Sequence, residues 1–247
     1  MVKRILTSLT LFCIVFAAFW IASFSLSTLD GRIHGPLVRN KNGQSTNWSG
    51  YAVYNSGLAS DVKGSWTIPA LTCGSTSTYS SAWIGIDGYN DSSVEQTGTE
   101  QDCIGGVASY YAWYEMYPKP GYKVPLNVKA GDVITGEVKY QSGKFVLSLV
   151  NSSGGSFSTS QKSGKAQFAS SEWIMEAPWS GGVLPLANFG TANFANSSAI
   201  MGGKSGAINS FTNDQINMVN GSGQFKDQTS SLSTGGSAFS VTWVSSN

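Results

Sequence analysis

The chain has 247 residues, a formal net charge of +1 and only 12% charged residues. From Thr46 onward it contains ten Lys, no Arg and thirteen Asp plus Glu. This composition excludes a basic nucleic-acid-binding face. It also predicts tolerance of acid, because protonating so few carboxylates leaves little positive charge to repel itself. The alternative is that the low charge content only reflects an exported surface rich in Ser, Thr, Asn and Gly and is unrelated to the pH at which the protein works.

The N-terminus has the pattern of a secretory signal. Lys3 and Arg4 precede an uncharged, apolar run at residues 5–24, followed by small residues, which predicts a signal peptide over residues 1–27. The run is also long enough to cross a bilayer, so an uncleaved anchor is the alternative. We therefore expect a secreted protein, or a membrane-anchored one if residues 5–24 are retained.

Residues 28–45 are polar and have no alternating pattern, which predicts a short pro-segment or linker before a single domain at residues 46–247. Arg32, Arg39 and Lys41 lie in this segment. At neutral pH it could cover a carboxylate-lined cleft, and acid would weaken that attraction. A flexible tether is the equal alternative.

The domain itself is predicted to be an all-β, antiparallel β-sandwich, because short β-rich runs alternate with Gly, Ser, Asn and Pro. Residues 139–145 are typical of a hairpin turn, and residues 151–164 and 202–206 are expected to be loops. The predicted strands are residues 48–54, 62–68, 81–86, 108–117, 133–140, 144–150, 171–176, 215–219 and 238–244.

Several kinds of chemistry are excluded by residue type. His34 is the only histidine and lies in the predicted pro-segment, so a Ser-His-Asp, Cys-His or histidine-zinc site has no support. Cys73 and Cys103 are predicted to form a disulfide, as two cysteines in an exported chain suggest; two free thiols are the alternative. We expect no metal, no cofactor and no nucleic-acid partner, and a monomer.

Alternation within the strands predicts a polar face of unusual composition, since side chains two residues apart share a face. Solvated sheet faces usually carry Thr, Ser and Lys, whereas aromatic residues mixed with carboxylates favour a binding cleft. The alternative is a partly exposed sheet with solvated carboxylates. The residues of this face are Trp83, Gly85 and Asp87; Gln96, Gly98 and Glu100; Tyr111, Trp113, Glu115 and Tyr117; and Glu172, Ile174 and Glu176.

Five short motifs, in order, resemble those of the glutamic peptidases called eqolisins. They are Asn-Trp-Ser-Gly-Tyr at 47–51, Trp-Ile-Gly-Ile-Asp-Gly at 83–88, Gln-Thr-Gly at 96–98, Ala-Trp-Tyr-Glu-Met-Tyr-Pro at 112–118 and Glu-Trp-Ile-Met-Glu at 172–176. The resemblance implies two long, bent antiparallel sheets and a catalytic pair formed by Gln96 and Glu172. It also implies that Trp48, Trp83, Asp87, Trp113, Glu115 and Tyr117 line a substrate-binding cleft.

The sequence departs from the fungal members at two cleft positions. Glu100 stands where they have Asp, and Tyr111 stands where they have a carboxylate. These differences resemble a non-fungal branch of the family, so strongly acidic activity is not assumed.

The resemblance implies a secreted endopeptidase that acts on polypeptides, with Glu172 activating water and Gln96 stabilising the oxyanion. The first alternative is a glycoside hydrolase using Glu115 with Glu172, or Glu172 with Glu176, as its carboxylate pair. A second alternative is a non-catalytic, lectin-like sandwich with an aromatic stacking platform.

Overall fold

The computed structural model describes residues 26–40 and 44–247, so most of the predicted signal peptide lies outside the described residues. The described chain forms two antiparallel sheets, which confirms the predicted all-β sandwich. The first sheet comprises β1 (Trp48–Tyr54), β3 (Thr78–Ile86), β4 (Val94–Ile104), β5 (Val107–Tyr117), β6 (Tyr122–Lys123), β10 (Ser170–Glu176) and β13 (Asn213–Ile216). The second comprises β2 (Ala59–Thr67), β7 (Val133–Gln141), β8 (Lys144–Asn151), β9 (Ser156–Gln161), β11 (Thr191–Met201), β14 (Asp227–Thr229) and β15 (Phe239–Trp243).

Strands distant in sequence are neighbours in both sheets. The first sheet has the order β13-β1-β10-β3-β4-β5-β6, and the second the order β14-β15-β11-β2-β7-β8-β9. A further strand, β12 (Lys204–Ala207), pairs with β11, and a 3-10 turn spans Ile208–Ser210. This order places β10, β3, β4 and β5 side by side in the middle of the first sheet, where the polar face was predicted.

The main hydrophobic core lies between the two sheets. Trp66 of β2, Ile84 of β3 and Trp173 of β10 are all within 1% of complete burial. The Trp173 indole N–H donates to the carbonyl of Lys63, 2.8 Å away, so even the polar atom of this large side chain is satisfied in the core.

A second apolar cluster lies on the opposite, outer face of the first sheet. It joins Trp48, Trp83 and Trp113 to Leu29, a residue of the segment that precedes the sandwich. Every residue of β10 is therefore buried, because its two faces are covered by the core and by this segment. The predicted aromatic face is not solvated in this structure.

Two expected loops contain strands. Residues 151–164 were expected to be a loop, but Ser156–Gln161 pairs with β8 as an edge strand. Residues 202–206 were also expected to be a loop, but Lys204–Ala207 pairs with β11. Both strands are short and mainly polar, so their apolar pattern is too weak to predict them.

The hairpin predicted at residues 139–145 is confirmed. Gln141 pairs with Lys144 across a two-residue turn. Ser142 has φ 50° and Gly143 has φ 77°, and a turn with both central residues left-handed suits the twist of the flanking strands.

The predicted disulfide between Cys73 and Cys103 is also confirmed, with the two Cα atoms 5.4 Å apart. It links the chain before β3 to the end of β4. Across residues 26–40 and 44–247, no helix has the length and apolar character needed to span a membrane.

Candidate active site

Four strands bring a row of functional side chains together on the outer face of the first sheet. Glu172 pairs with Gly85, Gly85 with Gln96, and Gln96 with Glu115. Because Gly85 has no side chain, no Cβ stands between Gln96 and Glu172, and the Trp83 ring lies 3.0 Å from where a Cβ at Gly85 would be. The three polar side chains of the row are fully buried.

A parallel row lies four residues along the strands. Glu176 pairs with Ser81, Ser81 with Glu100, and Glu100 with Tyr111. The Glu176 carboxylate accepts the indole N–H of Trp83, 2.8 Å away. The outer face of the first sheet therefore carries several carboxyl groups packed among aromatic rings.

The segment at residues 26–40 lies across this outer face of the first sheet. Near its start, the amide of Leu29 donates to the carbonyl of Gly121 at 3.2 Å, beside β6. Ile33 exchanges two backbone hydrogen bonds with Trp179, at 3.1 and 3.0 Å. Further on, the amide of Leu37 donates to the carbonyl of Gly88 at 3.0 Å. The segment therefore crosses the sheet from β6 towards β1 as an extended peptide.

His34 occupies the centre of the crossing and is completely buried. Its ring stacks on Trp113, with ring centroids 3.8 Å apart and planes 7° from parallel. Its Nδ1 lies 3.1 Å from Glu115 Oε2 and its Nε2 lies 2.9 Å from Glu100 Oε2. The backbone carbonyl oxygen of His34 accepts a hydrogen bond from the side-chain amide of Gln96.

Arg32 occupies a second pocket on the same side of the segment. Its guanidinium donates to Asp102 at 2.5 Å and lies 3.6 Å from Glu100. It also lies over the rings of Tyr79 and Tyr111, at 5.1 and 5.7 Å from their centroids. Only 11% of the Arg32 side chain is exposed.

Beyond His34, the segment is held through its backbone. The Trp48 indole N–H donates to the carbonyl of Gly35 at 3.0 Å, and the Asn47 side-chain amide donates to that of Pro36 at 3.2 Å. Arg39 is exposed and donates to Asn90 at 2.9 Å. Lys41, the third cationic residue of the predicted pro-segment, lies outside the described residues.

Burial sets the electrostatics of this face. It raises the pKa of Glu100 to about 7, against the attraction of Arg32, and the pKa of Asp102 to about 8, with help from repulsion by Glu100. It also raises the pKa of Glu115, and it raises the pKa of Glu172 well above the ordinary carboxyl value. The carboxyl groups under the segment therefore hold protons more tightly than carboxyl groups in water.

Glu172 is the least engaged of these groups. Neither of its carboxyl oxygens has a hydrogen-bond partner among the described residues. Glu176, four residues along the same strand, has Trp83 and Asn47 as partners. A buried carboxyl without partners is costly unless it has a role or binds water.

Comparison with known proteins identifies the family of this chain. The family model described as "Peptidase A4 family" matches residues 46–243. The chain belongs to the peptidase A4 family. The resemblance to glutamic peptidases that the five motifs indicated is thereby confirmed.

Individual members of the peptidase A4 family give the same result. Aspergillopepsin-2 of Aspergillus niger is 30% identical over 186 residues, which are 64% of this chain and 66% of the relative. This chain thus spans slightly less than two thirds of that relative's length. Aspergilloglutamic peptidase from Aspergillus niger is 29% identical, with a TM-score of 0.60, over 68% of this chain and 99% of that structure. Scytalido-glutamic peptidase with a transition state analog inhibitor has a TM-score of 0.70 and 23% identity, over 81% and 98% of the two chains.

Most of the residues predicted for the cleft of this peptidase A4 domain lie together. Gln96, Glu172, Glu115 and the three tryptophans share the outer face, and Tyr117 packs against the same apolar cluster. Asp87 differs. Its carboxylate accepts the backbone amides of Gln167, Phe168 and Ala169, at 2.7, 2.9 and 2.6 Å, so it anchors a loop beside the cleft.

Three residues on this face of the peptidase A4 domain were not predicted from the sequence to belong to the cleft. Asp102 continues the alternation of Gln96, Gly98 and Glu100, so extending that pattern by two residues would have found it. Tyr79 continues the alternation of Gly85, Trp83 and Ser81 towards the start of β3, so extending that pattern would have found it too. His34 served only to exclude histidine chemistry, although it lies at the centre of the site.

No group of three or more His, Cys, Asp or Glu side chains is placed to bind a metal ion within the part of the chain that the structure describes.

Proposed function

We propose that the chain is an exported endopeptidase that hydrolyses polypeptides in acid, with Glu172 as general base and Gln96 as oxyanion donor. One observation carries the proposal: an extended peptide lies across the carboxyl-rich face with a carbonyl oxygen on the Gln96 amide. A site that holds a peptide carbonyl on a neutral donor has the contact that peptide hydrolysis requires.

In this mechanism Glu172 takes a proton from water as the water oxygen attacks the substrate carbonyl carbon. It then gives the proton to the leaving nitrogen. Gln96 donates to the oxygen that becomes negative, a contribution often worth about 3 kcal/mol.

Glu172 must be ionised to act as a base. Under the segment, burial raises the pKa of Glu172 well above its ordinary value, which favours the protonated form and opposes its action as a base. Departure of the segment admits water and brings its pKa towards the ordinary value of about 4. A base with that pKa works in acid, and a neutral amide donor is unaffected by pH there.

We further propose that residues 28–45 are a pro-segment that blocks the cleft, rather than a flexible tether. The burial of His34 and Leu29 supports this, as do the ion pairs of Arg32 with carboxylates of the sheet. Charges on both partners make the association sensitive to pH.

Export is proposed from the signal-like residues 1–27 and from the disulfide, since disulfides persist in oxidising compartments. N-terminal sequencing of the exported protein tests it. Detection of Met1 on the exported chain would replace the cleaved signal by an anchor at residues 5–24.

The glycoside hydrolase alternative gains no support from the positions of the carboxylates. Glu115 and Glu172 are three strand spacings apart, about 14 Å between Cα atoms, and Glu172 and Glu176 are about 13 Å apart along one strand. A retaining glycosidase holds its two carboxyl groups about 5 Å apart. The Glu115 carboxylate is moreover in contact with His34.

The deciding experiment offers unfolded protein and β-glucan to the same preparation, at acidic and at neutral pH, beside Glu172→Gln as the inactive control. We expect hydrolysis of the protein in acid, abolished in Glu172→Gln, and no release of sugar. Sugar release that depends on Glu172 would contradict the proposal.

A further inference from the structure

We infer that a pocket at the buried side chain of Lys226 binds a small carboxylate with a short aliphatic chain. The pocket has a volume of about 280 Å³, below the roughly 300–1,000 Å³ of sites for drug-sized ligands, so its occupant is small. It shares no lining residue with the cleft, and its occupancy does not depend on the proposed function. The described residues that line it include Thr46, Val183, Leu184, Val219, Ser222 and Lys226.

Lys226 is a buried cation without a partner. Only 4% of the residue is exposed, although its side chain lines the pocket. Within the part of the chain that the structure describes, its ammonium group makes no hydrogen bond and no ion pair. Burial lowers the pKa of Lys226 to about 8, against the attraction of Asp227. Because a buried charge is costly unless it is paired, this group calls for an anion.

Asp227 does not supply that anion. Its carboxyl group accepts the Ser49 hydroxyl at 2.8 Å and the Met218 amide at 3.2 Å, and it does not line the pocket. Burial raises the pKa of Asp227 to about 7. In acid, therefore, Lys226 keeps its charge while Asp227 loses its own, and the ammonium group is left uncompensated.

One wall of the pocket is held in place by its own turn. Val219 bridges to Phe225, which closes a hairpin around residues 220–224. The Asn220 side-chain oxygen accepts the amides of Ser222 and Gln224, both at 3.0 Å, and its amide group donates to the Gln224 side chain at 3.0 Å. The site is therefore formed before any ligand binds, which lowers the cost of binding.

The lining of the pocket has two characters, and these select the ligand. Val183, Leu184 and Val219 present apolar surface, which suits an aliphatic chain. Among the described residues that line the pocket, Lys226 alone has a charged side chain. A charge-assisted hydrogen bond from an ammonium group to a carboxylate is roughly twice as strong as a neutral one. A bare inorganic anion would leave the apolar walls unused.

The test titrates the full chain with isovalerate at about pH 6, where Lys226 is charged, and follows binding by NMR chemical shifts. Its uncharged amide, isovaleramide, is the matched probe and should bind about tenfold or more weakly. Acetate, which lacks the branched chain, should also bind more weakly. Lys226→Met keeps the aliphatic stem and should bind isovalerate about tenfold or more weakly. The exposed lysine of β8 gives the control, because Lys144→Met should leave the affinity unchanged.

A pH series on the unmodified chain gives a second measurement that needs no variant. The affinity for isovalerate should fall as the pH rises through 7 to 8, because Asp227 becomes charged and Lys226 loses its proton. Equal affinity for isovalerate and isovaleramide, or no saturable binding, would overturn the inference. An unchanged affinity in Lys226→Met would do so too. If Lys226→Met does not fold, the pH series decides, and an affinity independent of pH would overturn the inference. Equal binding of acetate would overturn the aliphatic part.

Discussion

The side-chain amide of Gln96 donates a hydrogen bond to the backbone carbonyl oxygen of His34, a residue 62 positions earlier in the chain. The contact joins the middle of the first sheet to the segment that covers it. The Gln96 amide, which is proposed to bind the carbonyl of a substrate, is therefore the group that holds the covering segment. Under the proposed function, a segment bound in this way would compete directly with a peptide substrate.

Substitution of the proposed catalytic pair should affect turnover rather than binding. Gln96→Ala removes a donor needed mainly in the transition state, so kcat should fall by about 10²–10³ with little change in KM. Glu172→Gln removes the only group proposed to carry the proton, so turnover should fall close to background. Steady-state kinetics on a synthetic peptide, with segment-free protein, measure both.

Glu176→Gln is the matched control for the pair. It lies on the same face of β10, and the remaining carbonyl oxygen of Gln can still accept the Trp83 indole hydrogen. Most activity should remain. Near-wild-type turnover in Gln96→Ala would end the proposed mechanism, and loss confined to Glu176→Gln would move the base by four residues.

A synthetic peptide of residues 26–40 should inhibit the segment-free domain in competition with substrate. Its Arg32→Glu form should bind at least about 100-fold more weakly, because disrupting a buried charge pair costs about 3 kcal/mol or more. Arg39→Glu in the same peptide changes an exposed side chain and should weaken inhibition less than about tenfold. Inhibition constants decide the matter: equal losses for the two peptides would contradict the Arg32 pocket.

Gly85→Ala should lower activity more than stability. A Cβ there would lie 3.1 Å from the Gln96 Cβ and 3.0 Å from the Trp83 ring, so it would press on one of the proposed catalytic residues and on a cleft tryptophan. We expect kcat to fall about tenfold or more, since small displacements in an active site are costly. Gly74→Ala, where a Cβ meets no atom within 4 Å, is the control. A loss of stability without loss of kcat would refute the crowding argument.

The full chain should be most stable in acid. The folded-state pKa of Glu100 is raised to about 7 and that of Asp102 to about 8, so the folded state binds protons more tightly than the unfolded state. This stabilisation is complete below the unfolded-state pKa of about 4 and is lost as the pH rises through 7 to 8. Urea unfolding at a series of pH values measures the effect.

The matched control for this pH dependence is the double variant Glu100→Gln/Asp102→Asn, which has two fewer titrating groups and should show a shallower decline in stability. A chain that becomes more stable between acid and neutral pH would contradict the proposed role of these buried carboxyls.

Reduction of the disulfide should destabilise the domain. The two cysteines are 30 residues apart in sequence. Opening a loop of that length increases the conformational entropy of the unfolded chain and lowers the free energy of unfolding by about 3 kcal/mol. Guanidinium unfolding with and without reductant, and of Cys73→Ser/Cys103→Ser, should give the same lower midpoint. No change on reduction would show that the unfolded state gains little freedom from opening this loop.

The sequence predicted the fold and the face of the sheet well because strand alternation is a local signal. Gln96 and Glu115 were assigned to the polar face from alternation in their own strands. Their pairing in one row depends on the strand order, which the local pattern does not encode. Alternation failed at Asp87, which follows the end of β3 and has φ 73°, so its side chain leaves the series set by Trp83 and Gly85.

The covering segment could be predicted only in outline. His34 meets Glu115 across 81 residues of sequence and Glu100 across 66, and no local pattern specifies such contacts. Its cationic residues did suggest a carboxylate partner. What could not be predicted is that one arginine, Arg32, is buried against Asp102 while another, Arg39, stays exposed.

The segment also changes the edge of the first sheet. β6 is the last strand on that side, and its neighbouring backbone groups are taken up by the segment: the Lys123 amide donates to the Ser27 carbonyl and the Gly121 carbonyl accepts the Leu29 amide. Once the segment leaves, those groups and the apolar surface that held Leu29 meet water. An open edge beside apolar surface can pair with another chain. Removal of the segment therefore creates a place where a second molecule can add a strand, and the processed domain should self-associate at lower concentration than the full chain.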